Sequence, residues 1–305
     1  MLIGAICSQI CRRAKTRCSC RLLALVLVCL TLSAVLHADE GQVPRTALKV
    51  CADPNSLPSS NRSLQGYENQ IAALFARQLG LPVTYVWFPQ RIGFIRNTLT
   101  SNDTPDGSYK CDLVLSVVEH FDMAATTRPY MRSTWAMVYV KGRGLDYIQS
   151  QEDLVNSTPE QRAALRIGAW DKGSATQWLA QNDLMERVSP YQSMSGDADE
   201  TPGKIIERDL VQDKINLTFL WGPIAGYYAQ QIKGAQIRVI PLHNEAGLRF
   251  DFQIAMAVRF GDKLWKTQVE KLLKDNQVEI DIILKSFGVP LLPVLVDNTN
   301  VEAGD

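Results

Sequence analysis

Residues 48–80 read LKVCADPNSLPSSNRSLQGYENQIAALFARQLG. Leu48-Lys49-Val50-Cys51-Ala52 is a short apolar run that stops at Asp53-Pro54, the pattern of a buried strand ending in a turn. After a polar loop, Gly66 opens a helical pattern that turns Ile71, Ala72, Leu74, Phe75 and Leu79 to one side. Gly80 closes it, and Pro82 begins the next segment. Strand, long polar loop, helix and strand is the start of an open α/β sheet. Ligands of such sheets sit outside the carboxyl ends of the strands, which places one wall of a site at residues 53–61.

Outward from this unit the same grammar continues. Val83-Thr84-Tyr85-Val86-Trp87-Phe88 is a second strand, β-branched and aromatic, stopped by Pro89. Residues 90–99 form a short helix-like stretch, and 102–109 (NDTPDGSY) a surface loop of turn residues. Residues 111–117 are a third strand, expected beside the first, and 134–141 a fourth. Residues 142–144 loosen the chain at an expected crossing. A second block then repeats the order, with a strand at 165–170, a helix at 175–182 and an extended stretch at 188–191. An amphipathic helix comes next at 202–213, with Ile205, Ile206, Leu210 and Val211 inward. A strand at 217–221, a helix at 225–232 and a strand at 236–241 complete the block. Residues 249–259 read as a return strand and 263–287 as one or two helices.

Two α/β blocks with a late return strand predict a discontinuous first lobe, 45–140 plus 247–290, and a second lobe, 141–246. Each is expected to be a mostly parallel sheet flanked by helices, the two joined by two hinge strands around a cleft. Residues 291–305 read as a loose tail.

The first 38 residues differ in composition. Arg12, Arg13, Lys15, Arg17 and Arg21 precede the apolar run 22–32, and Ala34 or Ala38 offers a cleavage point. That is the pattern of a cleaved secretory leader and predicts export. The apolar run is well short of the ~20 residues that a membrane span needs. Five of the 32 basic residues and none of the 32 acidic ones lie in the leader, so the remainder carries 27 against 32, a net charge of −5. Mild acidity offers no footprint for nucleic acid or an anionic membrane surface. The leader also holds Cys7, Cys11, Cys18, Cys20 and Cys29, leaving Cys51 and Cys111. Two cysteines in an exported chain predict a disulfide. Two buried free thiols are the alternative, because Cys packs as a small hydrophobe.

From residue 48 to 290 the order of elements resembles the type II periplasmic solute-binding proteins of ABC transporters. Gly66-Tyr67-Glu68-Asn69 and the helix after it look like that group's first-lobe opening. Ile167-Gly168 through Gly173-Ser174-Ala175-Thr176-Gln177-Trp178-Leu179 resembles its second-lobe opening. Four longer strings are more specific: Val50-Cys51-Ala52-Asp53-Pro54-Asn55, Trp87-Phe88-Pro89-Gln90-Arg91 with Arg96-Asn97-Thr98-Leu99, Thr126-Thr127-Arg128-Pro129-Tyr130, and Trp221-Gly222-Pro223-Ile224-Ala225-Gly226-Tyr227. In this order they resemble the quinoprotein-dehydrogenase-associated binding-protein-like family, the MoxJ/XoxJ group. The resemblance implies a non-catalytic periplasmic protein that accompanies a pyrroloquinoline-quinone (PQQ) methanol or alcohol dehydrogenase and a c-type cytochrome. PQQ and calcium or a lanthanide then belong to the partner enzyme, and this chain holds no permanent cofactor. The departures are a longer loop at 100–110 and Asn216 where Asp is commoner. Amino-acid binders of this fold usually carry an Arg shortly after the third strand to hold the ligand carboxylate bidentately. Here that stretch, Val117-Val118-Glu119-His120-Phe121-Asp122, has none.

Outside the leader the histidines are His120 and His243, far apart in sequence. There is no H-E-x-x-H, C-x-x-C, G-x-S-x-G or Walker loop, so no catalytic or metal-binding residue is nominated. Cleft candidates come from strand ends. They are Asp53, Asn55 and Asn61 after the first strand, Trp87, Gln90 and Arg91 after the second, and Arg128 and Tyr130 after the third. Trp170, Gly173 and Ser174 follow the first strand of the second lobe, and Trp221 follows a later one. Aromatics with a few fixed polar groups are how small-molecule clefts are built, and the N–H groups at residues 173–175 offer an anion site at a helix start. The plainer alternative is that Trp87 and Trp221 pack and Arg91 pairs with a structural carboxylate. Three functions stand in order of preference: a dehydrogenase partner, a transport receptor for a small periplasmic solute, and an enzyme, the last lacking a readable nucleophile and base.

Overall fold

The computed structural model describes residues 45–192 and 200–295. Residues 46–295 belong to Thr46–Asp305, one of the two units into which the chain divides. The expected leader at 1–38 and residues 296–305 of the expected tail lie outside the described residues.

The opening unit forms as its sequence predicts. Strand β1 (Leu48–Ala52) is followed by a small hairpin, β2 (Asn55–Ser56) with β3 (Ser60–Asn61), and by helix α1 (Tyr67–Leu79). The first N–H groups of a helix have no partner within it. Here those of Tyr67 and Glu68 donate to the hairpin carbonyls of Pro58 and Ser59 at 2.9 Å each. The approach is close enough that a Cβ on Gly66 would stand 2.0 Å from the Ser59 carbonyl oxygen, which restricts that position to glycine. The Asn69 Oδ1 atom accepts from the Asn61 and Gly66 N–H groups and completes the cap. The polar loop is thereby fixed against the helix start.

Beyond α1 the first lobe adds β4 (Val83–Trp87), the short helix α2 (Phe94–Asn97), β5 (Leu113–Val118) and the two-residue strand β6 (Ala125–Thr126). Strand β1 lies between β4 and β5, parallel to both, with Cys51 opposite Val114. The third strand therefore does lie beside the first. Cys51 and Cys111 are joined by a disulfide with Cα atoms 5.5 Å apart.

The next strand, β7 (Met131–Val140), belongs to both lobes. The second lobe continues with α3 (Gln151–Val155), α4 (Pro159–Ala163), β8 (Ile167–Trp170), α5 (Ser174–Gln181) and β9 (Val188–Tyr191). After these come β10 (Leu217–Trp221), α6 (Gly222–Gln231) and β11 (Ile237–Pro241). The chain returns on β12 (Asp251–Val258) and ends in α7 (Lys263–Asp275) and α8 (Gln277–Ser286). One continuous sheet runs β4-β1-β5-β12-β7-β10-β8-β9, with β11 on β7 and β6 on β12. The return strand β12 is antiparallel to β5 and to the first part of β7, while β7 is antiparallel to β10 and β11. The result is a mixed, two-lobed α/β architecture.

Burial follows the same division. Val50, Ile71, Phe75, Leu113, Met256, Trp265 and Ile280 share one core. In the second lobe Ile167, Trp178, Leu217 and Phe219 pack one sheet face, and Val138, Ile206, Leu210 and Leu220 the other. Sheets covered on both faces need strands apolar throughout, which is why these segments read as apolar runs rather than alternations.

Three expectations need correction. The crossing between lobes is not at residues 142–144. It lies inside β7, where Met131–Thr134 pair with β12 and Trp135–Val140 already pair with β10 and β11. Gly142 and Gly144 take positive φ in the turn that leaves β7. Residues 291–295 are not a loose tail but cross the hinge strands, with Leu292 bridged to Arg132. The helix expected at 202–213 is a π-helical turn, Ile205–Leu210. Its apolar residues are inward as expected, but Asp209 is buried with them. That carboxylate is held by the Arg208 guanidinium, the Tyr191 hydroxyl and the Lys214 ammonium, chiefly Arg208, which pulls its pKa down.

Asn216 stitches β8 to β10 before either begins. Its Oδ1 accepts from the Arg166 N–H and its Nδ2 donates to the Ala164 carbonyl, both at 2.8 Å. Asn216→Ala removes both of these partly buried hydrogen bonds, so a loss of about 2 kcal/mol in urea unfolding is expected.

Candidate functional site

The carboxyl ends of the parallel strands and the two hinge strands converge on a cavity of about 660 Å3. Its first wall comes from Ser56, Ser59 and Tyr67 at the hairpin and helix start, and from residues 90–95 after β4. Strand β5 adds Val114 and residues 116–118. The hinge strands supply the floor through Met131 and Trp135 of β7 and Phe252 and Ile254 of β12, and Trp221 and Ile224 close the far side. Trp135 and Trp221 are register partners, and Trp221 meets Phe252 edge-on at 6.0 Å. The Arg249 guanidinium lies 5.1 Å from the centre of the Phe252 ring. An aromatic floor is thus built where the two lobes share strands.

The lining is mostly apolar, and Arg91 is its single formal charge among the described residues. The rim is apolar too: Ile92 is 83% exposed, Met123 51% and Val118 42%. Large exposed side chains grouped at the mouth of a cavity mark a binding surface more than scattered ones do.

Polar groups gather at one end. The Ser59 hydroxyl donates to the Tyr67 hydroxyl at 3.0 Å, and Ser116 and Tyr130 hydroxyls are 3.0 Å apart. Next to them Glu68 is 5% exposed. Burial pushes its carboxyl up to about 7, the charge of Asp53 adds to the rise, and a hydrogen bond with Ser116 opposes it. Burial likewise raises the Tyr67 and Tyr130 phenols.

Of the sequence candidates, Gln90, Arg91 and Trp221 line this cavity, and Tyr130 stands behind it on the Ser116 hydroxyl. Asp53 does not face it as a ligand group. Its carboxylate accepts from the N–H groups of Asn55 and Gln90 and ties two loops together. Asn55 and Asn61 are paired across the hairpin, and Asn61 is further bound to Gln65. Trp87 stacks on Tyr85 at 4.7 Å, with Arg62 over its ring, and is absent from the lining. Arg128 turns into a different groove of about 1020 Å3, beside α7 and α8, where it donates to the Glu270 carbonyl. Trp170 lines a small recess of about 180 Å3 with Tyr191 and Arg208. Gly173 and Ser174 start α5 outside the cavity.

Residues 92–95, Val117, Phe121, Trp135 and Phe252 escaped the sequence reading because apolar residues at strand ends look like core. Ile92 alone carried a usable signal, being a large apolar residue in a polar turn. His120 and His243 are exposed, 3.9 Å from Glu119 and 3.0 Å from Glu152 respectively. Among the described residues no group of three His, Cys, Asp or Glu could hold a metal ion, and no helix is long and apolar enough to cross a membrane.

No family model matches the chain. It is similar to protein MoxJ of Methylorubrum extorquens, with 25% identity over 274 residues, 84% of this chain and 85% of that one. Protein MoxJ of Paracoccus denitrificans is 23% identical over 280 residues, 86% of this chain and 95% of the other. The crystal structure of the periplasmic binding protein XoxJ from Methylobacterium extorquens AM1 superposes with a TM-score of 0.64 at 29% identity. It covers 81% of this chain and 100% of XoxJ. With the two-lobed fold and the hinge-strand cleft, these likenesses support a MoxJ/XoxJ type II periplasmic binding protein-like assignment.

Proposed function

We propose that this is a non-catalytic periplasmic protein that supports maturation, loading or activation of a PQQ-dependent methanol or alcohol dehydrogenase by seating an apolar segment of that partner in its cleft. The cavity carries the reading: its walls are mostly apolar, its rim exposes Ile92, Val118 and Met123, and it offers one formal charge. A free amino acid needs countercharges for both its carboxylate and its ammonium, and Arg91 supplies one of them. The likeness to MoxJ and XoxJ, and the resemblance to the quinoprotein-dehydrogenase-associated family, support the choice of partner. PQQ and calcium or a lanthanide are assigned to the dehydrogenase, and a c-type cytochrome is the second partner to examine.

The test is binding of the purified protein to a methanol dehydrogenase and, separately, to its cytochrome, across a salt series. Saturable binding with altered dehydrogenase turnover or cofactor occupancy is expected. An apolar contact predicts shallow salt dependence. Trp221→Ala is expected to weaken binding about tenfold, as loss of a central aromatic anchor does. Absence of binding to either protein rejects the proposal.

A solute-binding receptor is the second reading, favoured by a volume in the range of small-molecule pockets and by the hydroxyls of Ser59, Tyr67 and Ser116 at one end. A ligand at 100 times its Kd stabilises the fold by about 2.7 kcal/mol. A thermal-shift screen over amino acids, quinones and metal salts is flat if this reading is wrong.

A further inference from the structure

The two lobes touch outside the hinge strands, along residues 287–295 after α8. Helix α6 of the second lobe presents Gly222 and Gly226, four residues apart and hence on one face. A Cβ on Gly226 would stand 1.9 Å from the Gly288 carbonyl oxygen. One on Gly222 would stand 2.3 Å from the Thr134 carbonyl oxygen and 2.6 Å from Pro290 Cγ. The backbone of the C-terminal segment thus lies directly on the backbone of α6. Beside this contact Tyr227 stacks on Phe287 at 5.8 Å, and Phe287 meets Tyr67 of α1 edge-on at 6.0 Å.

The same segment is tied to both hinge strands. The Ser133 hydroxyl donates to the Pro290 carbonyl at 2.7 Å, and the Leu292 N–H donates to the Arg132 carbonyl at 2.8 Å. Arg132 Nη1 reaches the Pro293 carbonyl, and the Leu295 N–H donates to Gln253 Oε1 at 2.6 Å. Under these ties Arg132 and Asp251 form a two-bond ion pair between β7 and β12, at 3.0 and 2.9 Å.

We propose that residues 287–295 are a strap that fixes the angle between the lobes, so that the cleft is held at one aperture instead of closing by rotation about β7 and β12. Gly222 sits at the crossing itself, and Gly226 is one helical turn away, about 6 Å. With that lever arm, a rotation of about 30° shifts Gly226 against Gly288 by roughly 3 Å. Two backbones in van der Waals contact allow no such shift in one direction, and in the other the Tyr227–Phe287 stack must separate. The cleft is then a preformed receptacle, whichever occupant it takes.

Double electron–electron resonance tests this on the chain from residue 39 onward, which leaves out the five cysteines of the expected leader, with spin labels on Asp122→Cys in the first lobe and Lys172→Cys in the second. Both positions are exposed, and Cys51 and Cys111 are tied up in the disulfide. The expected result is one narrow distance without ligand. In Gly226→Ala, and separately in Tyr227→Ala combined with Ser133→Ala, the distance distribution is expected to broaden and its mean to shift. The second variant introduces no clash and keeps the test open if Gly226→Ala does not fold. A broad or two-peaked distribution in the unmodified background overturns the strap. So does a narrow, unmoved peak in both variants once circular dichroism shows them folded. Partner binding is not part of the readout, so failure here leaves the dehydrogenase proposal standing, and the reverse holds too.

Discussion

Replacing Cys51 and Cys111 together by alanine is expected to destabilise the protein by about 4 kcal/mol. The bridge closes a sequence separation of 60 residues, and the loss of that constraint on the unfolded chain gives this figure in the chain-entropy model. Both half-cystines are essentially buried, among Phe94, Ile95, Leu99 and Val114, so the exchange also leaves a small void, which adds to the loss. Phe94, Ile95 and Val114 line the cleft, and the cross-link therefore braces one wall of it. One opposing interaction is visible. Arg259 binds the carbonyls of Leu99 and Cys111 and the carboxylate of Asp112, and it holds the same loop without the disulfide. Urea unfolding of the double variant against the oxidised protein measures the difference. A loss below about 1 kcal/mol would mean that Arg259, not the bridge, carries the loop.

That loop also shows where the sequence was legible. The cysteine pairing and the position of the third strand came from an apolar run, a turn and a count of thiols, all local signals that the tertiary structure preserves. Both ends of α1 were equally readable, because Gly66 is required by a backbone contact at its start and Gly80 by a left-handed cap at its end. What failed was non-local. Gly142 and Gly144 look like a linker, yet the lobes exchange a strand at residues 134–135, where Thr134 and Trp135 read as ordinary strand. The cleft floor is built from that same strand, so Trp135 and Phe252 could not be told from core. Conversely Asp53, Asn55 and Asn61 look like ligand groups because turn chemistry and binding chemistry use the same residue types. In the structure they satisfy their own loop. Residues 291–295 read as a tail for lack of periodicity, but their ties run through backbone groups, which leave no mark on side-chain pattern.

Glu68→Gln is expected to change the pH dependence of stability more than any other single substitution near the cleft. Glu68 is buried beside Tyr67, Tyr130 and Ser116, with the charge of Asp53 near it, and its carboxyl is pushed up to about 7. An unfolded glutamate titrates near 4.3. Between these values the folded protein holds a proton that the unfolded chain has released, so stability falls as pH rises, by about 1.4 kcal/mol per unit. The fall begins near the unfolded value, totals about 4 kcal/mol, and is complete once pH passes the folded value of about 7. Below both values the group contributes no slope. Glutamine is uncharged throughout and close in shape, so the variant and the original should unfold at similar urea midpoints at low pH. At pH 8 the variant should be the more stable, by about 4 kcal/mol. The difference between the two proteins, tracked from pH 4 to 8, isolates this group from every other titration. A difference that stays flat would mean that Glu68 is ionised in the folded state, with donors such as the Ser116 hydroxyl outweighing the effect of burial.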